Sequence, residues 1–232
     1  MEFSGMQEIS LIEYPGKTAT IVFTPGCNFR CPYCYNRKLV LEPGRTKKIS
    51  EESVISFLKK KKKWIDAVVV TGGEPTIHGD LPTFFKRVKK LGFLTGLETN
   101  GSNASMMKYI IKNKLVDFVG MDFKAPPNWE KYKKAAGIKN KNYFENVLKT
   151  ADFLKKSKIN HEFRTTVVPG ITSESDVAEI AKHLKNAGVY VLQQFMPITT
   201  IDRKLERVKP YSSAELERMK TVASKHVRCE VR

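Results

Sequence analysis

Three of the chain's four cysteines, Cys27, Cys31 and Cys34, form a C-x3-C-x2-C pattern, while Cys229 lies near the far end of the chain. Thiolates bind iron–sulfur clusters and zinc, and a fully ligated four-iron cluster takes four of them. Either Cys229 completes a closed site of four cysteines, or the loop binds a four-iron cluster with one iron left open for a substrate. Closed zinc sites usually show C-x2-C pairs, so the spacing favours the open cluster, with Cys229 as a buried or idle thiol.

The first residues of the chain and its hydropathy indicate that these cysteines lie in a reducing compartment. The first ten residues contain two acids and no apolar signal core, and no apolar run approaches the roughly 20 residues that a membrane span needs. We therefore predict a cytoplasmic protein without membrane association. In such a compartment, clustered cysteines favour metal binding or redox chemistry over structural disulfides.

The elements that must position the cysteine loop alternate between strand and helix. Continuous apolar or β-branched runs predict strands, and helical spacing of apolar residues with caps at Ser50 and Asp80 predicts helices. The predicted strands are 18–24, 67–71, 93–99, 116–123, 161–168 and 189–195, with a short final strand at 227–231. The predicted helices begin after Ser50 and after Asp80 and then cover about 104–114, 129–136, 142–156, 174–186 and 213–225.

This alternation predicts an α/β fold with parallel strands and right-handed crossovers. Six units are fewer than the eight of a closed barrel, which usually needs about 250 residues. We therefore expect a partial, open (β/α)6 TIM-like barrel, with residues 1–232 forming a single domain. In such sheets the chemistry lies at the carboxyl ends of the strands. The groups expected there are the cysteine loop, Gly72-Gly-Glu-Pro75, Glu98-Thr-Asn-Gly101, Asp122-Phe-Lys124, Arg164 and Gln193-Gln-Phe195.

The chain is strongly basic, with 41 Lys and Arg against 24 Asp and Glu and a net charge of +17. Such an excess attracts anionic partners, including nucleic acid, nucleotides and acidic protein surfaces. The run from Lys59 to Lys63 ends a predicted helix, where cations suit the helix dipole, so a solvated surface is the favoured explanation of this run. Binding of nucleic acid is compatible with this charge, but it is not the favoured interpretation.

The cysteine motif, with Tyr33 before its last cysteine, resembles the signature of the radical S-adenosylmethionine superfamily. Within that superfamily the chain is similar to the small activating enzymes of glycyl radical enzymes, of the anaerobic ribonucleoside-triphosphate reductase type. The motifs that carry the resemblance, in family order, are Tyr14-Pro-Gly16, Gly26-Cys27-Asn-Phe-Arg-Cys31-Pro-Tyr-Cys34-Tyr-Asn36, Gly72-Gly-Glu-Pro75, Thr99-Asn-Gly101, Asp122-Phe-Lys124 and the stretch from Arg164 to Gly170.

The resemblance implies an oxidoreductase with one [4Fe-4S] cluster per chain, held by Cys27, Cys31 and Cys34, and S-adenosyl-L-methionine as the second cofactor. Reductive cleavage of S-adenosylmethionine would give methionine and a 5′-deoxyadenosyl radical, which abstracts hydrogen from a glycine of a partner enzyme. The implied partner is a glycyl radical enzyme, the anaerobic ribonucleotide reductase, and a flavodoxin or ferredoxin would donate the electron. The cofactors supply this chemistry, so no catalytic residue beyond the cluster ligands is expected.

The resemblance also implies which residues hold S-adenosylmethionine. Glu74 would accept from its ammonium group, and Lys124 would meet its carboxylate. Arg164 would lie near that carboxylate or the partner, and Glu98 with Asp122 would hold ribose hydroxyls, the ammonium group or a cation. Purely structural explanations of these residues stay open. Glu74 could be a surface residue of a turn, Lys124 could form a salt bridge with Asp122 or Glu98, and Arg164 could form a structural ion pair. The full expected set is Tyr33, Tyr35, Asn36, Gly72, Gly73, Glu74, Glu98, Asn100, Asp122, Lys124, Arg164, Gln193 and Gln194.

Two other functions fit part of the sequence. A radical S-adenosylmethionine enzyme that modifies RNA or a nucleotide would account for the basic charge. A non-catalytic protein of another class, which binds a metal through four cysteines including Cys229 and binds nucleic acid through its surface, would account for the cysteines and the charge together.

Overall fold

The computed structural model describes residues 1–232, and the chain divides into two compact units. Unit one comprises Met1–Asn28, Lys38–Thr99 and Ser105–Val119, and unit two comprises Phe29–Arg37, Asn100–Ala104 and Gly120–Arg232. The prediction that residues 1–232 form one domain stays a prediction.

The strands and helices follow the predicted alternation. The strands are β1 Glu2–Phe3, β2 Gly5–Ser10, β3 Ala19–Thr24, β4 Ile49–Ser50, β5 Ala67–Gly72, β6 Leu94–Thr99, β7 Phe118–Asp122, β8 Asn160–Val167, β9 Val189–Gln194 and β10 Cys229–Val231. The helices are α1 Arg37–Leu41, α2 Glu51–Lys60, α3 Leu81–Lys90, α4 Ala104–Lys112, α5 Trp129–Ala136, α6 Lys141–Lys156, α7 Glu174–His183 and α8 Ser213–Ser224.

The main sheet has eight strands in the order β10-β9-β8-β7-β6-β5-β3-β2. The pairs β3–β5, β5–β6, β8–β9 and β9–β10 are parallel, and β2 is antiparallel to β3. The expected α/β class with a partial barrel of parallel strands is confirmed. The short final strand predicted at 227–231 is β10, whereas β2 and the two-stranded pair β1–β4 were not predicted.

Local sequence explains where the helices begin. The Ser50 side chain accepts a hydrogen bond from Ser53 N at 3.1 Å, as a helix cap should. Asp80 occupies the expected position before α3, but its side chain makes no capping bond. Its carboxylate lies instead 3.0 Å from the α-amino group of Met1, so the cap prediction for this side chain was wrong.

No helix of the structure combines the length and the apolar character that crossing a membrane requires.

Each unit has its own buried apolar residues. In unit one, Val68, Val69 and Val70 of β5 have no exposed surface, as expected of a parallel strand covered on both faces. In unit two, the rings of Phe123 and Tyr132 pack edge to face, with centroids 5.8 Å apart. Predicted site residues follow both segments in the sequence, Gly72 and Gly73 at the end of β5 and Lys124 directly after Phe123.

Candidate active site

The cysteine loop leaves the carboxyl end of β3 as irregular backbone. Gly26 has φ +73°, a conformation that favours glycine, and its N–H donates to Leu39 O at 2.8 Å. None of the four cysteines of the chain forms a disulfide; Cys31 is buried, and Cys27 and Cys34 are half-buried. The N–H of Cys34 donates to Cys31 O at 3.0 Å, which forms a tight turn between these two cysteines.

Gly72 and Gly73 hold the start of this loop through their backbone. Gly73 N–H donates to Thr24 O at 2.9 Å, and the next N–H, of Glu74, donates to Gly26 O at 2.8 Å. A Cβ on Gly73 would overlap the carbonyl oxygen of Gly26, and Gly72 has φ +117°. The glycine pair was expected to let backbone approach a ligand. The backbone it approaches in the structure is the chain's own cysteine loop.

Glu74 is a buried carboxylate held by two threonines. Its Oε1 accepts from Thr76 N at 3.0 Å, from Thr76 Oγ1 at 2.5 Å and from Thr99 Oγ1 at 2.7 Å, and the residue is 1% exposed. Glu74 is therefore not the surface glutamate of a turn, which was the alternative from the sequence. Sequence reasoning missed Thr76 and Thr99 as its partners, although Thr99 belongs to the Thr99-Asn-Gly101 motif.

Glu98 and Asn100, at and just after the end of β6, differ in burial. Glu98 is half-buried within the last residues of β6. In unit two, buried Asn100 accepts from Ser102 N at 2.9 Å through Oδ1, which closes a local turn. Gly101 follows with φ +73°, and its carbonyl accepts from Thr150 Oγ1 at 2.8 Å.

Unit two brings Lys124 close to the second half of the cysteine loop. Lys124 Nζ lies 2.6 Å from Asp122 Oδ2, so the strand-end salt bridge that the sequence left open is present. Burial raises the pKa of the Cys31 thiol to about 12, and the nearby charge of Lys124 opposes this shift. Burial would lower the pKa of Lys124, but Asp122, Tyr33 and Cys31 outweigh it and raise that pKa above its ordinary value. Lys124 is thus a fixed cation beside a buried thiol.

The aromatic residues of the loop have different environments. Tyr33 is 4% exposed, burial raises its pKa, and its hydroxyl has no hydrogen-bond partner among the protein groups. Tyr35 is 64% exposed. Asn36 is half-buried. Burial raises the pKa of the Cys34 thiol, and a hydrogen bond with the backbone of Asn36 opposes this rise. The buried Tyr33 hydroxyl is a polar group that the protein alone does not satisfy.

Arg164 forms the structural ion pair that the sequence left open. It is 5% exposed, and its Nε donates to Glu162 Oε1 at 2.5 Å. The same carboxylate oxygen accepts from Arg232 Nη1 at 2.9 Å. A Cβ on Gly120 would come within 2.8 Å of Arg164 Cζ, so the guanidinium group lies against the backbone of β7. Its role toward a cofactor stays a prediction.

The end of β9 provides two amide side chains. Gln194 donates from Nε2 to Tyr211 O at 2.7 Å, whereas its buried Oε1 has no protein partner. Gln193 is half-buried one residue before it. His78, for which no chemical role was predicted, has Nε2 2.9 Å from Pro25 O, so it supports the cysteine loop from unit one.

Cys229 lies in a different environment from the loop. It pairs with Tyr190 at the start of β9, and its charged neighbours are Lys220, Glu230 and Glu217. Burial raises the pKa of its thiol to about 11. The thiol contacts the carbonyl oxygen of Glu230 at 3.8 Å. These are the surroundings of a buried structural thiol, in agreement with the open-cluster interpretation.

The donor set fits a thiolate-ligated cluster. A neutral, buried thiol such as Cys31 has to lose its proton on metal binding, and soft thiolates are the ligands that iron–sulfur clusters use. The cation Lys124 is already close to Cys31 and would offset the negative charge that thiolate ligands bring. The loop therefore has three thiols outside any disulfide, and a compensating charge beside Cys31, for such a group.

Comparison with known proteins defines the class. The family model of the Radical SAM superfamily matches residues 21–184, and the chain belongs to this superfamily of enzymes. The crystal structure of Streptococcus suis SuiB has the same fold, with a TM-score of 0.69 at 15% identity over 91% of this chain and 48% of that chain. QueE from Escherichia coli has a TM-score of 0.59 at 16% identity over 100% and 93% of the two chains. Membership implies a [4Fe-4S] cluster and S-adenosylmethionine.

The similarity to activating enzymes covers almost the whole chain. A protein of Methanocaldococcus jannaschii, provisionally named a glycyl-radical enzyme activating enzyme, is 36% identical over 233 residues, which cover 97% of this chain and 92% of the relative. The pyruvate formate-lyase-activating enzyme of Clostridium pasteurianum is 27% identical over 222 residues, covering 92% and 90%. The resemblance to glycyl-radical-enzyme activating enzymes that the motifs indicated is confirmed.

Proposed function

We propose that this chain activates a glycyl radical enzyme, and that its partner is the anaerobic ribonucleoside-triphosphate reductase. The observation that carries the proposal is the loop after β3, which contains three cysteines in the C-x3-C-x2-C spacing, none of them in a disulfide. The chain is also 36% identical to a relative provisionally named as such an activator. The partner's identity rests on the motif resemblance. The proposal places the enzyme in the cytoplasm, where thiols stay reduced.

Cys27, Cys31 and Cys34 are the proposed ligands of one [4Fe-4S] cluster per chain. The cluster, when bound, would supply one electron for cleavage of S-adenosylmethionine to methionine and a 5′-deoxyadenosyl radical, and a flavodoxin or ferredoxin is the proposed donor of that electron. The radical would take a hydrogen atom from the α-carbon of the partner's glycine, leaving 5′-deoxyadenosine and a glycyl radical.

The chain's own residues bind and orient the substrate. Lys124, a fixed cation beside Cys31, suits the methionyl carboxylate, and its pairing with Asp122 holds it in place. Glu74 suits the ammonium group, because Thr76 and Thr99 fix one oxygen of its buried carboxylate. The remaining proposed contacts to ribose, adenine or carboxylate are Tyr33, Tyr35, Asn36, Glu98, Asn100, Arg164, Gln193 and Gln194. Gly72 and Gly73 act by positioning the loop.

The test is anaerobic reconstitution with iron and sulfide, followed by dithionite and S-adenosylmethionine. We expect 5′-deoxyadenosine, and a glycyl radical signal in electron paramagnetic resonance when the anaerobic ribonucleotide reductase of the same organism is added. Pyruvate formate-lyase serves as the matched partner control. A radical on the control alone would overturn the assignment of the partner, and absence of 5′-deoxyadenosine would overturn the enzymatic proposal.

Modification of RNA or a nucleotide is the second candidate, favoured by the net charge of +17. The 7-carboxy-7-deazaguanine synthase of Halobacterium salinarum is 36% identical, but over only 87 residues and 38% of this chain. This candidate predicts that nucleotides or transfer RNA increase 5′-deoxyadenosine formation, while the reductase does not. The activator proposal predicts the opposite response.

A further inference from the structure

The segment that follows β9, residues 195–209, exposes apolar side chains although its backbone is firmly held. We call this segment the β9 ledge. Met196 is 55% exposed and Ile198 is 68% exposed. Two exposed aliphatic side chains only two residues apart offer a partner an apolar contact whose burial would be stabilising.

Hydrogen bonds fix the ledge and attach it to the cysteine loop. Thr200 N–H donates to Glu206 Oε1 at 3.1 Å, and Thr200 Oγ1 donates to Asp202 O at 2.7 Å. The N–H of Asp202 donates to Pro32 O at 2.9 Å, and Pro32 lies between Cys31 and Cys34 in the sequence. The N–H of Ile198 donates to Met196 O at 2.9 Å, so the backbone between the two apolar side chains also has a hydrogen bond. The ledge is thus held by its own hydrogen bonds and is joined to the cysteine loop at Pro32.

The charge of the ledge is positive. Arg203, Lys204, Arg207 and Lys209 are exposed, and none of them forms a salt bridge. The two carboxylates of the ledge face its own backbone. Asp202 accepts from Lys204 N at 3.0 Å and Glu206 from Thr200 N. The cations are thus directed at solvent, while the carboxylates serve the fold.

We propose that the β9 ledge is the docking surface for the polypeptide substrate, and that it binds a segment with an apolar side chain flanked by carboxylates. This inference rests on the proposed function, because it assumes that the substrate is a protein. Aliphatic side chains of adaptable shape suit an apolar anchor, and the unpaired cations steer a complementary acidic segment to it. Nucleic acid is disfavoured because the one aromatic residue of the ledge, Phe195, is 1% exposed and offers no ring for base stacking.

The test measures binding of labelled peptides to the anaerobically reconstituted holoenzyme by fluorescence anisotropy. The probe is the peptide EELGFEE, and the comparison probes are KKLGFKK and an oligothymidylate. We expect EELGFEE to bind about tenfold more tightly than KKLGFKK, with an affinity that falls as salt rises. Met196→Ser with Ile198→Ser, and separately Arg203→Glu with Lys204→Glu, should each weaken its binding about fivefold or more.

Matched controls use exposed residues of the same types in unit one. Ile9→Ser replaces an aliphatic side chain that is 53% exposed, and Lys59→Glu with Lys60→Glu reverses two exposed charges. Binding that is equally weakened by controls and ledge variants, that does not distinguish the two peptides, or that is undetectable would overturn the proposal. Preferential binding of the oligothymidylate would overturn it in favour of nucleic acid.

Formation of 5′-deoxyadenosine from S-adenosylmethionine, without any peptide, separates this proposal from the proposed function. We expect the ledge variants to retain this reaction, because their side chains were assigned no contact with the cofactors. Retained cleavage with unchanged peptide binding would refute the docking surface alone. Absent cleavage in the unaltered enzyme would refute the proposed function, whatever the peptides do. If the serine pair fails to fold, the charge-reversal pair gives the answer.

Discussion

Gly73 lies directly against the carbonyl group of Gly26, so closely that a Cβ at position 73 would overlap that oxygen. The backbone of the Gly72-Gly-Glu-Pro75 turn thereby clamps the start of the cysteine loop, and the N–H of Glu74 donates to the same Gly26 carbonyl at 2.8 Å. The geometry of the first cysteine therefore depends on a glycine that is distant in sequence.

Gly73→Ala should displace the cysteine loop. Because the added methyl group meets backbone rather than a flexible side chain, we expect unfolding to become easier by about 2–4 kcal/mol, and iron content after reconstitution to fall severalfold. Gly79→Ala is the matched control, since a Cβ there meets nothing within 4 Å. Denaturant unfolding and iron analysis measure both effects. Equal behaviour of the two variants would contradict the clamp.

Glu74→Gln should separate charge from hydrogen bonding. A glutamine oxygen accepts the same three bonds from Thr76 and Thr99, so we expect the unfolding free energy to change by only about 1 kcal/mol. Loss of the negative charge should weaken S-adenosylmethionine binding about tenfold or more, measured by anaerobic calorimetry. Thr99→Val, which removes one of these bonds and keeps the charge, should weaken binding less. Unchanged affinity in Glu74→Gln would refute the proposed ammonium contact.

Cys229→Ala should leave the cluster in place. Its thiol lies in β10 beside Lys220, Glu217 and Glu230, so we expect full iron content and a loss of stability of about 1 kcal/mol from the smaller side chain. Cys31→Ala should lose the cluster, which iron analysis and the visible absorption band report. If Cys229→Ala loses iron as Cys31→Ala does, the closed site with four cysteines is correct and the open iron is not.

Asp176→Asn should remove stability that depends on pH. Burial would raise the pKa of Asp176, but Lys131 and Ser173 outweigh it and hold that pKa below its ordinary value, with Lys131 Nζ 2.7 Å from Oδ1 and Ser173 N 2.9 Å from Oδ2. A carboxyl with a lowered folded-state pKa contributes stability above its unfolded pKa of about 4, which is lost as pH falls through the folded value.

We therefore expect Asp176→Asn to cost about 1 kcal/mol at pH 7, and the difference from the unaltered protein to disappear in acid. Urea unfolding of the metal-free protein at several pH values measures this. Glu179→Gln is the control: its carboxylate is 52% exposed and shares Lys131 at 3.3 Å, so its effect should stay below about 0.5 kcal/mol. A difference for Asp176→Asn that persists in acid would refute the linkage.

The sequence alone determined the class of fold and the chemistry of its central loop. Buried parallel strands such as β5 are continuous apolar runs, and the cysteine spacing is local, so both can be read along the chain. Three strands could not be predicted from the sequence: the short strands β1 and β4 and the edge strand β2. Their pairing depends on partners that are distant in the chain, and only part of β2 is buried. The Asp80 side chain was misjudged for the same reason, since its partner Met1 is distant in sequence.

Only the tertiary structure decided what the polar residues do. It buried Glu74 and gave it Thr76 and Thr99, it paired Lys124 with Asp122 beside Cys31, and it paired Arg164 with Glu162. A strand-end acid or base looks the same in a sequence whether it is solvated or held. Thr76, Asp122 and Glu162 lie only two residues from the groups that they pair with, and the ion pairs of Lys124 and Arg164 were among the possibilities that the sequence left open. The burial of Glu74 and Arg164, and the contact of Glu74 with Thr99, follow from packing between distant segments, which local patterns do not encode. The sequence identifies the three cysteines and their spacing, whereas their burial and their neighbours are known only from the structure.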